Sequence, residues 1–298
     1  MLSNRHEIFL VVASKLSFSK ASEVLYISQP AVSKHIKELE KFYNTQLFER
    51  VSNTIQLTKA GHLLLENINE VKRIQNKLEF EISVLKNNKK AKGQLKIGAS
   101  TTVALYIIPK YLSLFHQQYP DIKVNLLNRN TDSVIKALIN NEIDIGIVEG
   151  NGNHSGILYK PFASDEVVAV CSSKSYIAKM KNLTVEKLLD FPIALREHGS
   201  GTLSAVKYQL EKLGIKLSDL NVGVRLGGTE ALKNFLKADN CLGFLPKGSI
   251  VNEMKENELV IVKIDRFEIK RNFFFIQRQG TENLELNKLF IKICSIVL

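Results

Sequence analysis

The stretch "SFSKASEVLYISQPAVSKHIKELE", Ser17 to Glu40, constrains this chain's fold more than any other. Proline lacks a backbone N–H and clashes inside helices, but the first helical turn accepts it because N–H groups there are unpaired anyway. Pro30 therefore marks a helix start, with Ser28 placed to cap it. Behind it Val32, Ile36 and Leu39 fall on one face, while Gln29, Ser33, Lys34 and Lys37 fall on the other. Upstream, Ser19 is placed to cap a shorter helix with Ala21, Val24 and Leu25 inward, and only Tyr26 and Ile27 separate the two. That spacing reads as a helix-turn-helix whose Gln29–Lys37 face is free to enter a DNA major groove. A helical hairpin with a solvated face fits the same residues.

Charge bears on that choice. The chain has 298 residues and a net charge of +11, which favours a polyanionic partner. Residues 1–92 hold 15 Lys/Arg against 9 Asp/Glu, and the other 206 residues hold 26 against 21. The basic excess per residue is thus more than twofold higher around the helix-turn-helix, which favours double-stranded DNA over a bare hairpin.

Other classes fit poorly. No run approaches the roughly 20 apolar residues that span a bilayer, and "MLSNRHEIFL" lacks a secretory pattern. The expectation is a cytoplasmic protein with no membrane partner. Cys171, Cys241 and Cys294 are isolated, and the six histidines form no metal-binding spacing, so no disulfide framework and no metal are expected. A G-x-S-x-G elbow, a P-loop and paired carboxylate motifs are absent, so no catalytic residues and no enzyme activity are expected.

Residues 1–57 read as helices plus a two-stranded wing, "LFERVSNTIQLT", turning at Ser52-Asn53. Thr58 caps a long helix, and 58–88 is read as a linker and dimerisation element. Within it Leu64, Ile68, Val71, Gln75, Leu78, Ile82 and Leu85 alternate at spacings of four and three, a coiled-coil seam. Leu63, Ile74 and Phe80 form a weaker stripe. A helix lying on one globular body is the alternative. "KNNKKAKGQ" supplies a hinge, 89–94. Beyond it, 95–298 alternates short apolar strands with helical patterns, which predicts an α/β fold with a mostly parallel sheet. Two similar lobes are expected, 95–162 with 268–298 and 163–267, and ligands in such folds lie at the carboxyl ends of strands. Two hydroxyl-rich turns end strands there: "GASTTVA", with Ser100, Thr101 and Thr102, and "REHGSGT", with Ser200, Gly201 and Thr202. Ordinary helix capping explains each alone. The two are expected to face each other across one cleft, and together they point to an anion site at two helix starts and so to a small-anion effector.

These residues resemble the LysR-type transcriptional regulators along essentially the whole chain. The resemblance rests on "FSKASEVLYISQPAVSKHIKELE", "LFER" followed by "LTKAG", "YIIPKYLSLFHQQYPDIKVNL", "IDIGIV" and "LGFLP". It implies a winged helix-turn-helix, a dimerising linker helix and a two-lobed effector domain similar to periplasmic binding proteins. It further implies a homotetramer on promoter DNA, with RNA polymerase as a further partner. Gln29, Pro30, Ser33 and Lys34 match the family's base- and phosphate-contacting positions, and Arg50 a minor-groove or phosphate contact. The wing departs from the family's basic pattern at Asn53, Thr54 and Gln56, which implies weaker wing contacts. The two hydroxyl turns look like those of sulfur-assimilation regulators, where they bind small anions such as sulfate. The analogy also brings Glu149 and Thr229 into the cleft. A carboxylate there repels an anion, so Glu149 would instead read an amine on a zwitterion or share a proton with an acidic ligand. No cofactor is implied beyond an anionic or zwitterionic effector.

Overall fold

The computed structural model describes residues 2–51, 54–86, 91–150, 154–180 and 183–296. The chain forms two units, Met1–Lys86 and Asn87–Leu298.

In the first unit, α1 (Asn4–Lys15), α2 (Phe18–Leu25) and α3 (Gln29–Tyr43) precede the antiparallel wing strands β1 (Phe48–Val51) and β2 (Thr54–Leu57). The wing turn expected at Ser52-Asn53 lies outside the described residues. Pro30 sits in the first turn of α3, and Ser28 Oγ accepts from Ala31 N at 3.4 Å. Val32, Ile36 and Leu39 pack against Ile8, Phe9 and Val12 of α1. Two details of α2 differ from the sequence reading. Ser17, not Ser19, caps it, because Phe18 packs on the core and draws the helix start forward. Of its three inward residues Ala21 is buried and Leu25 half-buried, but Val24 is exposed.

The wing is tied to α3 by Glu40 Oε1, which accepts from Leu47 N at 2.9 Å. Thr58 caps α4 (Lys59–Lys86) by accepting from Gly61 N at 3.0 Å. Gly61 is required there, since a Cβ would lie 2.1 Å from the Leu47 carbonyl oxygen. The expected seam divides. Ile68 is buried in the core of this unit with Leu64 packed beside it, whereas Val71, Leu78 and Ile82 are exposed. Gln75 donates to Glu79, and the Leu85 side chain lies outside the described residues.

The second unit holds β3 (Gly93–Ser100), α5 (Ile108–Gln118), β4 (Ile122–Arg129), α6 (Thr131–Ile139), β5 (Ile145–Glu149) and the long β6 (Ile157–Ser172). Next come β7 (Ile193–Arg196), α7 (Gly201–Lys212), β8 (Val222–Leu226), α8 (Thr229–Ala238), β9 (Leu242–Pro246) and α9 (Val251–Lys255). The chain closes with β10 (Leu259–Val262), β11 (Ile269–Arg278) and α10 (Glu285–Ile296). Between β3 and α5 the helix widens into a π-helical stretch, Val103–Ile107.

The strand order is β4-β3-β5-β11-β6-β9-β7-β8, with β10 also on β6. The sheet is mixed, which corrects the mostly parallel expectation. Pairing is parallel among β3, β4 and β5 in one lobe and among β7, β8 and β9 in the other. The chain, however, crosses between lobes on β6 and β11, which pair antiparallel along ten partners and with the neighbours that flank them. Their register slips between Phe273 and Phe274, where the two lobes meet. Of the expected hinge, 89–90 lies outside the described residues, and Gly93 and Gln94 already pair with Ile122 and Lys123 of β4.

Candidate nucleic-acid interface and effector cleft

A shallow open groove runs along α3, lined by Gln29, Pro30, Ser33, Lys34, Lys37, Glu38 and Lys41. Ser28, Gln29, Pro30, Lys34 and Lys37 are exposed and Ser33 is half-buried. Gln29 Nε2 donates to Ser33 Oγ at 3.1 Å, which orients the carboxamide along the face. Arg5 Nε holds Glu38 Oε2 at 3.0 Å and so offsets the only carboxylate among the lining residues. Arg50 is exposed on β1. Tyr26, in left-handed conformation at φ 54 and 95% exposed, stands in the turn before α3. A row of amide, hydroxyl and ammonium groups on a proline-started helix suits base edges and phosphates.

The cleft is organised by a residue that the sequence reading missed. Arg271 on β11 is 6% exposed. Its Nη1 donates to Glu149 Oε1 and to Thr202 Oγ1, each at 2.9 Å. Its Nη2 donates to Thr102 Oγ1 at 3.1 Å and to Asp165 Oδ2 at 2.8 Å. One guanidinium therefore joins β5, the turn after β3, β6 and the first turn of α7. The hydroxyl turns do converge, but on a protein side chain. Glu149, expected to read an amine or hold a shared proton, instead pairs with Arg271, and its Oε2 accepts from Thr131 Oγ1 at 2.7 Å. Ser100 is buried and Thr101 half-buried beside Thr102, while Ser200 caps α7 by accepting from Leu203 N. Gly201 lies so close to Glu149 that a Cβ there would sit 2.8 Å from Oε2. Thr229 belongs to a neighbouring cluster, where its Oγ1 accepts from Arg196 Nη1 at 2.8 Å and Arg196 grips Glu197 with two further bonds.

Both flanks of the cleft are closed by contacts between lobes. On one, Asn130 Nδ2 donates to His198 O and Asp132 N to Gly199 O, each at 3.3 Å. On the other, the Tyr106 hydroxyl in the π-helical stretch donates to Glu230 on α8. Lys233 pairs with Glu230 and Glu253 at 2.8 and 2.9 Å. Burial and the Glu230 carboxylate both push the Tyr106 phenol well above its ordinary value. Burial alone would lower Lys233, but its two carboxylates outweigh that and raise it. Glu197 shows the same contest with the opposite sign. Burial opposes its ionisation, yet Arg196 and the Gly228 N–H hold it below the usual carboxylate value.

Among the described residues no group of His, Cys, Asp and Glu is arranged to hold a metal ion, and no helix is long and apolar enough to cross a membrane. The three cysteines are buried. Burial pushes the Cys171 thiol up to about 11 and the Cys241 and Cys294 thiols up to about 12, Cys241 with help from Asp239. None has the lowered pKa of a reactive thiol.

Arg271 did leave a signal. In "IKRNFFFIQR" a strand period of two puts Arg271 on the face of Ile269, Phe273 and Phe275, an inward position for a charge. Such a residue needs buried partners.

Known proteins share this plan. Residues 3–62 match the bacterial regulatory helix-turn-helix model of the lysR family, and residues 88–296 match the LysR substrate binding domain. The HTH-type transcriptional regulator CysL of Bacillus subtilis (strain 168) is 29% identical over 284 residues, covering 95% of this chain and 93% of its own. A probable RuBisCO transcriptional regulator of Cyanidium caldarium is 33% identical over 277 residues, covering 92% of this chain and 87% of its own. Among solved structures, full-length CbnR complexed with its target DNA shares the fold over 100% of both chains, with a TM-score of 0.71 at 18% identity. The regulatory domain of Synechocystis PCC6803 CcmR in complex with 2-PG is 28% identical, with a TM-score of 0.62, and covers 68% of this chain and 96% of its own. The helix-turn-helix and the substrate binding domain of the lysR family thus occur here in succession and together cover nearly the whole sequence: the chain belongs to the LysR family of ligand-responsive transcriptional regulators.

Proposed function

We propose that this chain reads promoter DNA through Gln29, Ser33, Lys34 and Lys37, with Ser28 and Pro30 fixing the helix start and Arg50 contacting the backbone beside the wing. Gln29 offers a donor and an acceptor to one adenine edge, while the lysines reach guanine or phosphate. The observation that carries this reading is the groove on α3, where polar and basic side chains are exposed over a buried apolar face. The effector is a small anion or zwitterion bound between the lobes by the Ser100–Thr102 and Ser200–Thr202 turns, with Glu149 and Thr229 nearby. The complex of CcmR with 2-PG supports a small-molecule effector in this domain.

The functional parts are a head over 1–57, a linker helix over 58–88, a hinge over 89–94 and an effector domain over 95–298. The exposed Val71, Leu78 and Ile82 stripe pairs two copies through α4, and two such dimers form a homotetramer in the cytoplasm. Effector binding favours one packing of the lobes and so resets the spacing of the heads and the bend of the DNA. A ligand does this only through unequal affinity for the two arrangements. RNA polymerase is the downstream partner.

The test is a footprint on the DNA upstream of the protein's own gene, with and without metabolite mixtures. Protection that changes with a small molecule is expected, and Thr202→Val is expected to abolish that change. A Thr202→Val protein that still responds in full contradicts the assignment of the cleft.

A further inference from the structure

A carboxylate of the protein itself sits where an anion would be expected. Glu149 ends β5 at the foot of the cleft, and its Oε1 accepts from Arg271 Nη1 at 2.9 Å while its Oε2 accepts from Thr131 Oγ1 at 2.7 Å. It also lies against the first turn of α7, since a Cβ on Gly201 would be 2.8 Å from its Cβ, Cδ and Oε2. Helix α7 is 12 residues long, and the N-terminus of such a helix carries roughly half a positive charge with unpaired N–H groups. A guanidinium, a hydroxyl donor and a helix N-terminus around one carboxylate are the components of an oxyanion seat. Glycine at 201 is what lets the carboxylate come this close.

Two further polar atoms are buried and without a hydrogen-bond partner among the described residues: Arg271 Nε within this cluster and Ser100 Oγ at the end of β3. Ser100 lies two residues before Thr102, which itself accepts from Arg271. The cluster therefore has donor capacity beyond what Glu149 and Asp165 use.

We propose that Glu149 is an internal ligand, holding the seat that the anionic group of the effector takes in exchange. The effector carries a carboxylate or similar oxyanion, and its binding displaces the Glu149 carboxylate from Arg271 and from the first turn of α7. Simple anions fail against the tethered carboxylate, because its effective concentration is far above theirs. An effector succeeds when the rest of its body adds contacts, with Ser100 and Arg271 Nε as the unused partners. This deepens the reading of the cleft as the effector site and rests on it.

The test is replacement of the internal carboxylate by a free one. The full-length Glu149→Ala protein is melted in increasing sodium acetate, with sodium chloride at matched ionic strength as control. The variant is expected to melt below wild type in chloride and to recover steadily with acetate, because a ligand that binds only the folded form raises its stability. Wild type is expected to melt alike in both salts. Glu149→Gln, which keeps the side chain in the seat without its charge, is expected to gain nothing from acetate. If Glu149→Ala does not fold in chloride, folding in acetate alone is the same positive result. An Ala variant that ignores acetate, fails to fold in either salt, or responds no more than wild type or Glu149→Gln overturns the proposal. No DNA or effector enters this experiment, so its failure leaves the cleft reading standing; that reading falls instead with an unimpaired Thr202→Val response.

Discussion

The α3 face proposed to read DNA and the cleft proposed to hold the effector use the same kinds of side chain in opposite ways. On α3 the amide, hydroxyl and lysine groups are exposed, with few bonds to the rest of the head. In the cleft, hydroxyls, carboxylates and a guanidinium are buried and bonded to one another across both lobes. The first surface leaves its hydrogen-bonding capacity open to solvent, while the second uses most of it internally. Substitutions should therefore cost recognition on α3 and folding stability in the cleft.

The largest effect expected is at Arg271. Arg271→Ala leaves the buried Glu149 and the half-buried Asp165 without their shared cation, and losing one member of a buried ion network costs about 3–5 kcal/mol. Thermal unfolding monitored by circular dichroism checks this, and a change within about 0.5 kcal/mol, as at an ordinary surface site, would deny the cluster its structural role.

Gln29→Ala comes next. It should remove about 1–3 kcal/mol of discrimination at one base pair while leaving the melting temperature unchanged, as read by competition between specific and random duplexes. Lys34→Ala should weaken binding to all duplexes alike and flatten the slope of log affinity against log salt by about 0.9. A sequence-selective loss at Lys34 would exchange the two roles.

Proton linkage should separate the units more gently. Glu197 and Glu253 are held below their ordinary values in the folded effector domain, Glu253 mainly because Lys233 outweighs its burial. Their stabilisation is present above the unfolded carboxylate pKa of about 4.3 and is lost as pH falls through the folded values. Tyr106 and Lys233 are raised, so their contribution is full below an unfolded pKa of about 10 and is lost as pH rises through the folded values. Melting of the effector domain across pH should show a plateau between these limits. In the same range the buried thiols should resist a disulfide reagent until the protein unfolds.

The two regions also differed in how far the sequence disclosed them. The recognition face is local, since Gln29 to Lys37 spans little more than two helical turns and one proline fixes its start. The cap of α2 was misplaced by two residues because Phe18 joins the core, a tertiary fact that outweighs local capping preference. The Ser/Thr turns were legible as strand-to-helix junctions. What joins them was not, because Arg271 is 169 positions from Thr102 and 69 from Thr202. The mixed sheet was hidden for the same reason. Strand patterns reveal β6 and β11, but their antiparallel partnership is a long-range pairing.

The most direct measurement is fluorescence anisotropy of a labelled duplex from upstream of the gene, titrated with wild type and Gln29→Ala against random competitor DNA. Wild type should stay bound under competitor while Gln29→Ala is displaced. Equal displacement of both, or none of either, would contradict sequence reading by α3.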